Sequence, residues 1–97
     1  MITTKQRANL RSLCNRLEPV LQIGKEGVNE GTIKHAQELF EARELFKINK
    51  LKTCEDSAKD VALKIQEKTN CEIVQCIGNK ICLYKRSTKK DINHIEF

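Results

Sequence analysis

The sequence predicts a two-layer α/β domain, three helices packed against a four-stranded mixed sheet, in the order α-β-α-β-α-β-β. Three observations carry this expectation. Apolar residues recur at helical spacing in three separate stretches. Between and after them stand short runs of Val, Ile, Leu and Phe, bounded by Gly, Pro or Asn, which read as strands. The 97 residues suffice for one domain with a modest core, and not for two.

Thr4 reads as an N-cap, and Leu10, Leu13, Cys14 and Leu17 fall at i, i+3, i+4, i+7, so residues 4–16 form an amphipathic helix. At 100° per residue Arg7 and Arg11 share one flank, with Lys5 and Arg16 round the back. Pro19 stops this helix, and residues 20–23 make a short strand. A Gly24-Lys25-Glu26-Gly27 loop leads to a second helix, about residues 29–43, capped by Asn29 and buried through Ile33, Ala36, Leu39 and Phe40. Residues 44–51 form a strand that Lys47 and Lys50 leave partly wet. Residues 54–57 turn into a third helix at about 57–69, with Ala58, Val61, Ala62 and Ile65 as its buried stripe.

Two final strands, 72–77 and 80–85, flank Gly78-Asn79, a two-residue loop with Gly first that suits a type II′ turn. Strict alternation places Val74, Cys76, Ile81 and Leu83 on a core face, and Ile73, Ile77, Cys82 and Tyr84 on the other. The domain proper is expected to span 1–87. Residues 88–97 are polar, lack periodicity and read as a loose C-terminal tail.

Eighteen basic against thirteen acidic residues give a net charge of +5, which favours a polyanionic partner without naming one. The excess sits at the two ends. Residues 1–17 hold Lys5, Arg7, Arg11 and Arg16 with no acid, and residues 85–90 hold Lys85, Arg86, Lys89 and Lys90. No apolar run approaches the roughly 20 residues of a membrane span, and the N-terminus is too polar for a signal peptide. Five cysteines without any C-x-x-C are expected to be reduced thiols in a cytoplasmic protein. Their spacing, with His35 and His94, does not suit zinc.

The glycine loop is the stretch with the clearest chemical potential. Glycines let a ligand approach the backbone, and a helix N-terminus beside them suits a phosphate. Lys25 is the one cation of the loop. On spacing alone a plain strand-to-helix turn accounts for both glycines.

The motifs together say more. Thr4-Lys5-Gln6-Arg7, Leu10-Arg11-Ser12-Leu13, the run Pro19-Val20-Leu21-Gln22-Ile23-Gly24-Lys25-Glu26-Gly27, residues 41–48 and residues 74–85 resemble the CRM domain, the chloroplast RNA splicing and ribosome maturation module, in its stand-alone bacterial YhbY form. The resemblance covers roughly residues 2–87. It implies an RNA-binding module with a KH-like G-x-x-G loop and a fold related to the C-terminal domain of bacterial translation initiation factor three. It also implies action on ribosomal RNA in precursors of the large subunit. Carried over, Gly24, Lys25 and Gly27 form the RNA-backbone loop, with Lys5, Arg7 and Arg11 beside it. Glu26 departs from the family pattern, since an acid beside a phosphate repels it.

The expectation is thus an RNA-binding protein without catalysis, cofactor, metal or small-molecule substrate, acting as a monomer. The alternative is an adaptor that turns the same basic surface to an acidic protein. An enzyme is disfavoured because no G-x-S-x-G, metal-ligand set or perturbed acid pair is present. Four aromatics in all argue against the stacking platforms of RRM and OB folds.

Overall fold

The computed structural model describes residues 2–90, 92, 94 and 95. Its elements are α1 (Thr4–Cys14), β1 (Pro19–Ile23), α2 (Glu30–Arg43), β2 (Leu45–Lys50), α3 (Ala58–Thr69), β3 (Glu72–Ile77) and β4 (Lys80–Tyr84). The predicted element order therefore stands. The helix starts follow from local chemistry. Asn29 and Ser57 cap α2 and α3 through side-chain oxygens that accept from Thr32 and Asp60 amides. For α1 the cap is Thr3, not Thr4, because Thr3 closes a reciprocal capping box with Gln6. The helix also ends at Cys14, two residues short of the expectation.

The strands form one mixed sheet in the order β1-β2-β4-β3. β1 runs parallel to β2, and the other pairs are antiparallel. Gly78 has φ 57°, as the first residue of a II′ hairpin turn requires.

One face of the sheet, through Ile23, Phe46, Ile48, Ile81 and Leu83, packs on Ala36 and Phe40 of α2 and on Val61, Ala62 and Ile65 of α3. The rings of Phe40 and Phe46 meet at 4.7 Å between centroids. The opposite face, through Leu45, Val74, Cys82 and Tyr84, packs on Leu10 and Cys14 of α1. The α/β class and the four-stranded mixed sheet hold, but α1 lies across the sheet from α2 and α3, so helices cover both faces. Both parities of β4 are apolar and buried, and a sheet with two apolar faces needs a cover on each.

The hairpin register corrects a second expectation. A bulge lies between Ile73 and Gln75, and the extra residue shifts the strand's parity. Val74 therefore joins Cys82 and Tyr84 beneath α1 instead of Ile81 and Leu83. Cys76 pairs with Ile81 but lies beyond the helices and is exposed.

The cysteines are not all thiols. Cys14 and Cys82, 68 residues apart in sequence with Cα atoms 6.5 Å apart, form a disulfide between α1 and β4. Parity places Cys82 under α1, and neither residue's spacing in sequence reveals that meeting. Cys54, Cys71 and Cys76 are free.

The segment after β4 is tied to the end of α2. Glu44 is the single residue between α2 and β2, wholly buried, with φ 65°. Its carboxylate accepts from the amides of Ser87 and Ile95, each at 2.7 Å, and from His94 Nδ1 at 2.6 Å. Glu41 accepts from the hydroxyl of Ser87 and from the amide and hydroxyl of Thr88. The described part of the expected loose tail thus has defined partners. Burial raises the Glu44 carboxyl, but the bonds from His94, Ile95 and Ser87 outweigh it and hold the group below its ordinary value.

Two outcomes follow. Under native conditions an alkylating reagent labels Cys76 first, while Cys54 and Cys71 react only on unfolding and Cys14 and Cys82 only after reduction as well; peptide mass mapping reads the order. Glu44→Gln leaves one oxygen for three donors and costs about 1–3 kcal/mol. That lowers the midpoint of thermal unfolding by roughly 4–8 °C per kcal/mol. Because the folded carboxyl lies below the unfolded value of about 4.3, the ionised group's contribution is full above that pH. It fades as pH falls through the folded value, so wild type and variant converge in acid.

Candidate nucleic-acid interface

β1 ends at Ile23, and the chain turns at once. Gly27 N–H donates to Gly24 C=O at 2.9 Å, closing a β-turn with Lys25 and Glu26 exposed at its tip. The two glycines serve different ends. Gly27 has φ 65°, where side chains are strained. Gly24 has no positive φ, but a Cβ there would meet Leu51 Cδ1 and Thr53 Oγ1 at 3.4 Å, so it permits close packing on the loop after β2. Leu51 N–H donates to Ile23 C=O at 2.8 Å and joins the two loops.

The carboxylate of Asp56 stands 3.7 Å from where a Gly27 Cβ would be. Lys64 reaches it at 2.7 Å, and this bond raises the lysine's pKa. The negative charge behind the turn is thereby largely neutralised, whereas Glu26 at the tip is not paired among the described residues.

The same end of the sheet gathers lysines that sequence reading left out of the site. Lys50 lies beside Ile23 in the ladder, and its amide donates to Asn79 C=O at 2.8 Å. Lys80 opens β4 opposite Asn49. Lys25, Lys52 and Lys80 are exposed and Lys50 is half-buried. Three loops, distant in sequence, thus bring four cations to one edge. The only advance signal was the Lys-Ile-Asn-Lys run marking a partly wet strand.

Arg7, a predicted contact, has structural partners instead. Its guanidinium donates to the backbone carbonyl of Ile73 and lies 3.5 Å from Glu72. That is the far end of the edge strand β3. At 3.3 Å per residue and 4.8 Å per strand, it is on the order of 20 Å from the glycine turn. Lys5 and Arg11 are exposed on α1, and Lys85 and Arg86 border a shallow cleft with Gln6 and Glu72 at Arg7's end of the sheet. The molecule therefore carries two basic regions, and the structure does not bring Arg7 to the glycine turn. Among the described residues no cluster of three His, Cys, Asp or Glu side chains is placed to hold a metal.

The profile of the CRS1 / YhbY (CRM) domain matches residues 2–85. The chain is 46% identical over 87 residues to the Bacillus subtilis protein named "Probable RNA-binding protein YqeI", covering 90% of this chain and 91% of that one. It is 28% identical over 91 residues to a Haemophilus influenzae protein named "RNA-binding protein", covering 94% and 92% respectively. The solution structure of Staphylococcus aureus SAV1595, described as a candidate RNA-binding protein, superposes with a TM-score of 0.76 at 41% identity, over 95% of each chain.

Arg7→Ala should act on stability, removing a bond to a backbone carbonyl worth about 1 kcal/mol. Arg11→Ala, on an exposed position, should stay within about 0.5 kcal/mol of wild type. Urea denaturation of both variants distinguishes an anchoring arginine from a free one.

Proposed function

The chain belongs to the CRS1/YhbY (CRM) domain family, and on that premise we propose that it binds RNA, without catalysis, through the glycine turn and the lysines around it. The observation that carries this reading is the convergence of Lys25, Lys50, Lys52 and Lys80 on a turn whose backbone is open to a phosphate. Lysines neutralise phosphates as point charges and release counterions, so affinity is electrostatic and salt-dependent. Lys5 and Arg11 of α1 extend the positive field for a longer strand, while Arg7 holds α1 in place.

The partner in this reading is ribosomal RNA in precursors of the large subunit, met in the cytoplasm by a monomer. Family resemblance supports that choice, and a positive field alone would suit any RNA. Relatives named as RNA-binding proteins favour RNA over an acidic protein partner.

Binding to single-stranded RNA, followed by fluorescence anisotropy across a salt series, tests the proposal. Each phosphate contact removed should lower the slope of log K against log salt by about 0.7. Lys25→Glu should weaken binding and flatten the slope. Glu26→Lys should tighten it by about two- to five-fold, since it removes one like charge near the phosphate and adds an opposite one. Unchanged affinity in both folded variants would reduce the turn to a geometric device. In gradient sedimentation the protein should travel with large-subunit precursors at low salt; recovery solely at the top of the gradient would remove the assembly role.

A further inference from the structure

The face of the sheet that carries α1 is only half covered. Successive rows across the strands show where cover ends. Leu45 and Tyr84 lie in the row under α1. The next row includes Lys47, Cys82 and Gln75, where Cys82 is bonded to Cys14 and Gln75 donates to Asn15 at 3.1 Å. The row beyond is Gln22, Asn49, Lys80 and Ile77, one residue from each strand. Gln22 and Lys80 are exposed, Asn49 is half-buried and Ile77 is 65% exposed. This row begins one residue before Ile23, at the root of the glycine turn.

Its chemistry is specific. Lys80 Nζ donates to Asn49 Oδ1 at 2.7 Å, which fixes that amide and leaves its N–H donors uncommitted to this bond. Among the described residues neither Asn49 Nδ2 nor the Gln22 amide has a hydrogen-bond partner. With Lys47 in the row behind, the two rows hold two lysines and no acid. At 4.8 Å between strands, Gln22 to Lys80 spans roughly 10 Å, long enough for more than one base. Amides and an ammonium are groups that read base edges, and a single strand can splay its bases to meet them. Ile77 adds an apolar side chain at the end of the row.

We propose that Gln22, Asn49 and Lys80 form a shelf that contacts the bases of single-stranded RNA whose backbone phosphate sits at the adjacent glycine turn. The inference rests on the RNA-binding reading above and adds to it the surface that discriminates among bases. The turn supplies affinity without sequence information, and the shelf supplies the difference between bases.

The test uses the full chain with short single-stranded RNA homopolymers of each base, their affinities measured by fluorescence anisotropy at several salt concentrations. Wild type should bind the homopolymers with unequal affinity. Gln22→Ala with Asn49→Ala should compress that spread by about five-fold or more with the salt slope unchanged. Asn49→Asp, close in size and able to keep the Lys80 contact, should weaken binding to all four and guards against a folding artefact. Lys25→Glu should change the slope while preserving the order of preference. Equal wild-type affinities for all bases, or an unaltered spread in the double variant, would overturn the shelf while leaving RNA binding intact. Failure of wild type to bind any of them would overturn the RNA-binding reading itself, and the shelf with it.

Discussion

The central strands β2 and β4 impose the constraint on which the rest of the molecule depends. At the end where Leu45, Phe46, Leu83 and Tyr84 pair, both faces are apolar. At the other end, where Asn49 meets Lys80, only the face bearing Ile48 and Ile81 is apolar. Each fully buried side chain of this size is worth about 1.5–3 kcal/mol, so neither apolar face can stay bare. Two helices cover the continuous face. A single short helix suffices for the half face, and α1, only 11 residues long, covers that much and no more. The polar remainder stays open beside the glycine turn. A requirement of packing thus decides which part of the sheet stays open.

The charges divide along the same line. Near the covered end three charged groups are committed to the fold, Arg7 to β3 and Glu44 and Glu41 to the segment after β4, while Lys5 and Arg11 stay exposed. Glu44 holds a positive φ that a non-glycine residue adopts at a cost of order 1–3 kcal/mol. Three charge-assisted bonds, each worth about 1.5–3 kcal/mol, offset that cost. Near the open end the cations are mostly exposed and lack such anchors. Lys80, bonded to Asn49, and Lys64 are exceptions, and Lys64 masks the carboxylate of Asp56 behind Gly27. Glu26 remains as an unmasked acid at the tip, which sets this chain's turn apart from one built only of cations and glycines.

How much of this was legible in the chain depends on the range of the interaction. Period and punctuation determined the three helices, the four strands, the II′ hairpin at Gly78 and the turn at Gly24–Gly27, because each is set by residues within about four positions. The cap at Asn29 belongs to the same class, while Ser57 was read only as part of the turn into α3. Family motifs added the RNA-binding expectation and the loop residues. The bulge after Ile73 was not legible, since an extra residue in a strand is defined only against its partner, and it alone moved Val74 to the opposite face. Because the two-layer expectation put α1 on the same face as α2 and α3, Cys14 was not matched to Cys82, nor Arg7 to the carbonyl of Ile73. The lysines at residues 50, 52 and 80 became part of the candidate site only through strand order, and the bond between residues 44 and 94 joins segments whose separation carries no periodic signal. Local propensity and amphipathic spacing are written in neighbouring residues. Which faces meet, which cations stay free and which part of the sheet stays bare are decided by contacts between residues tens of positions apart, and those exist only in the folded chain.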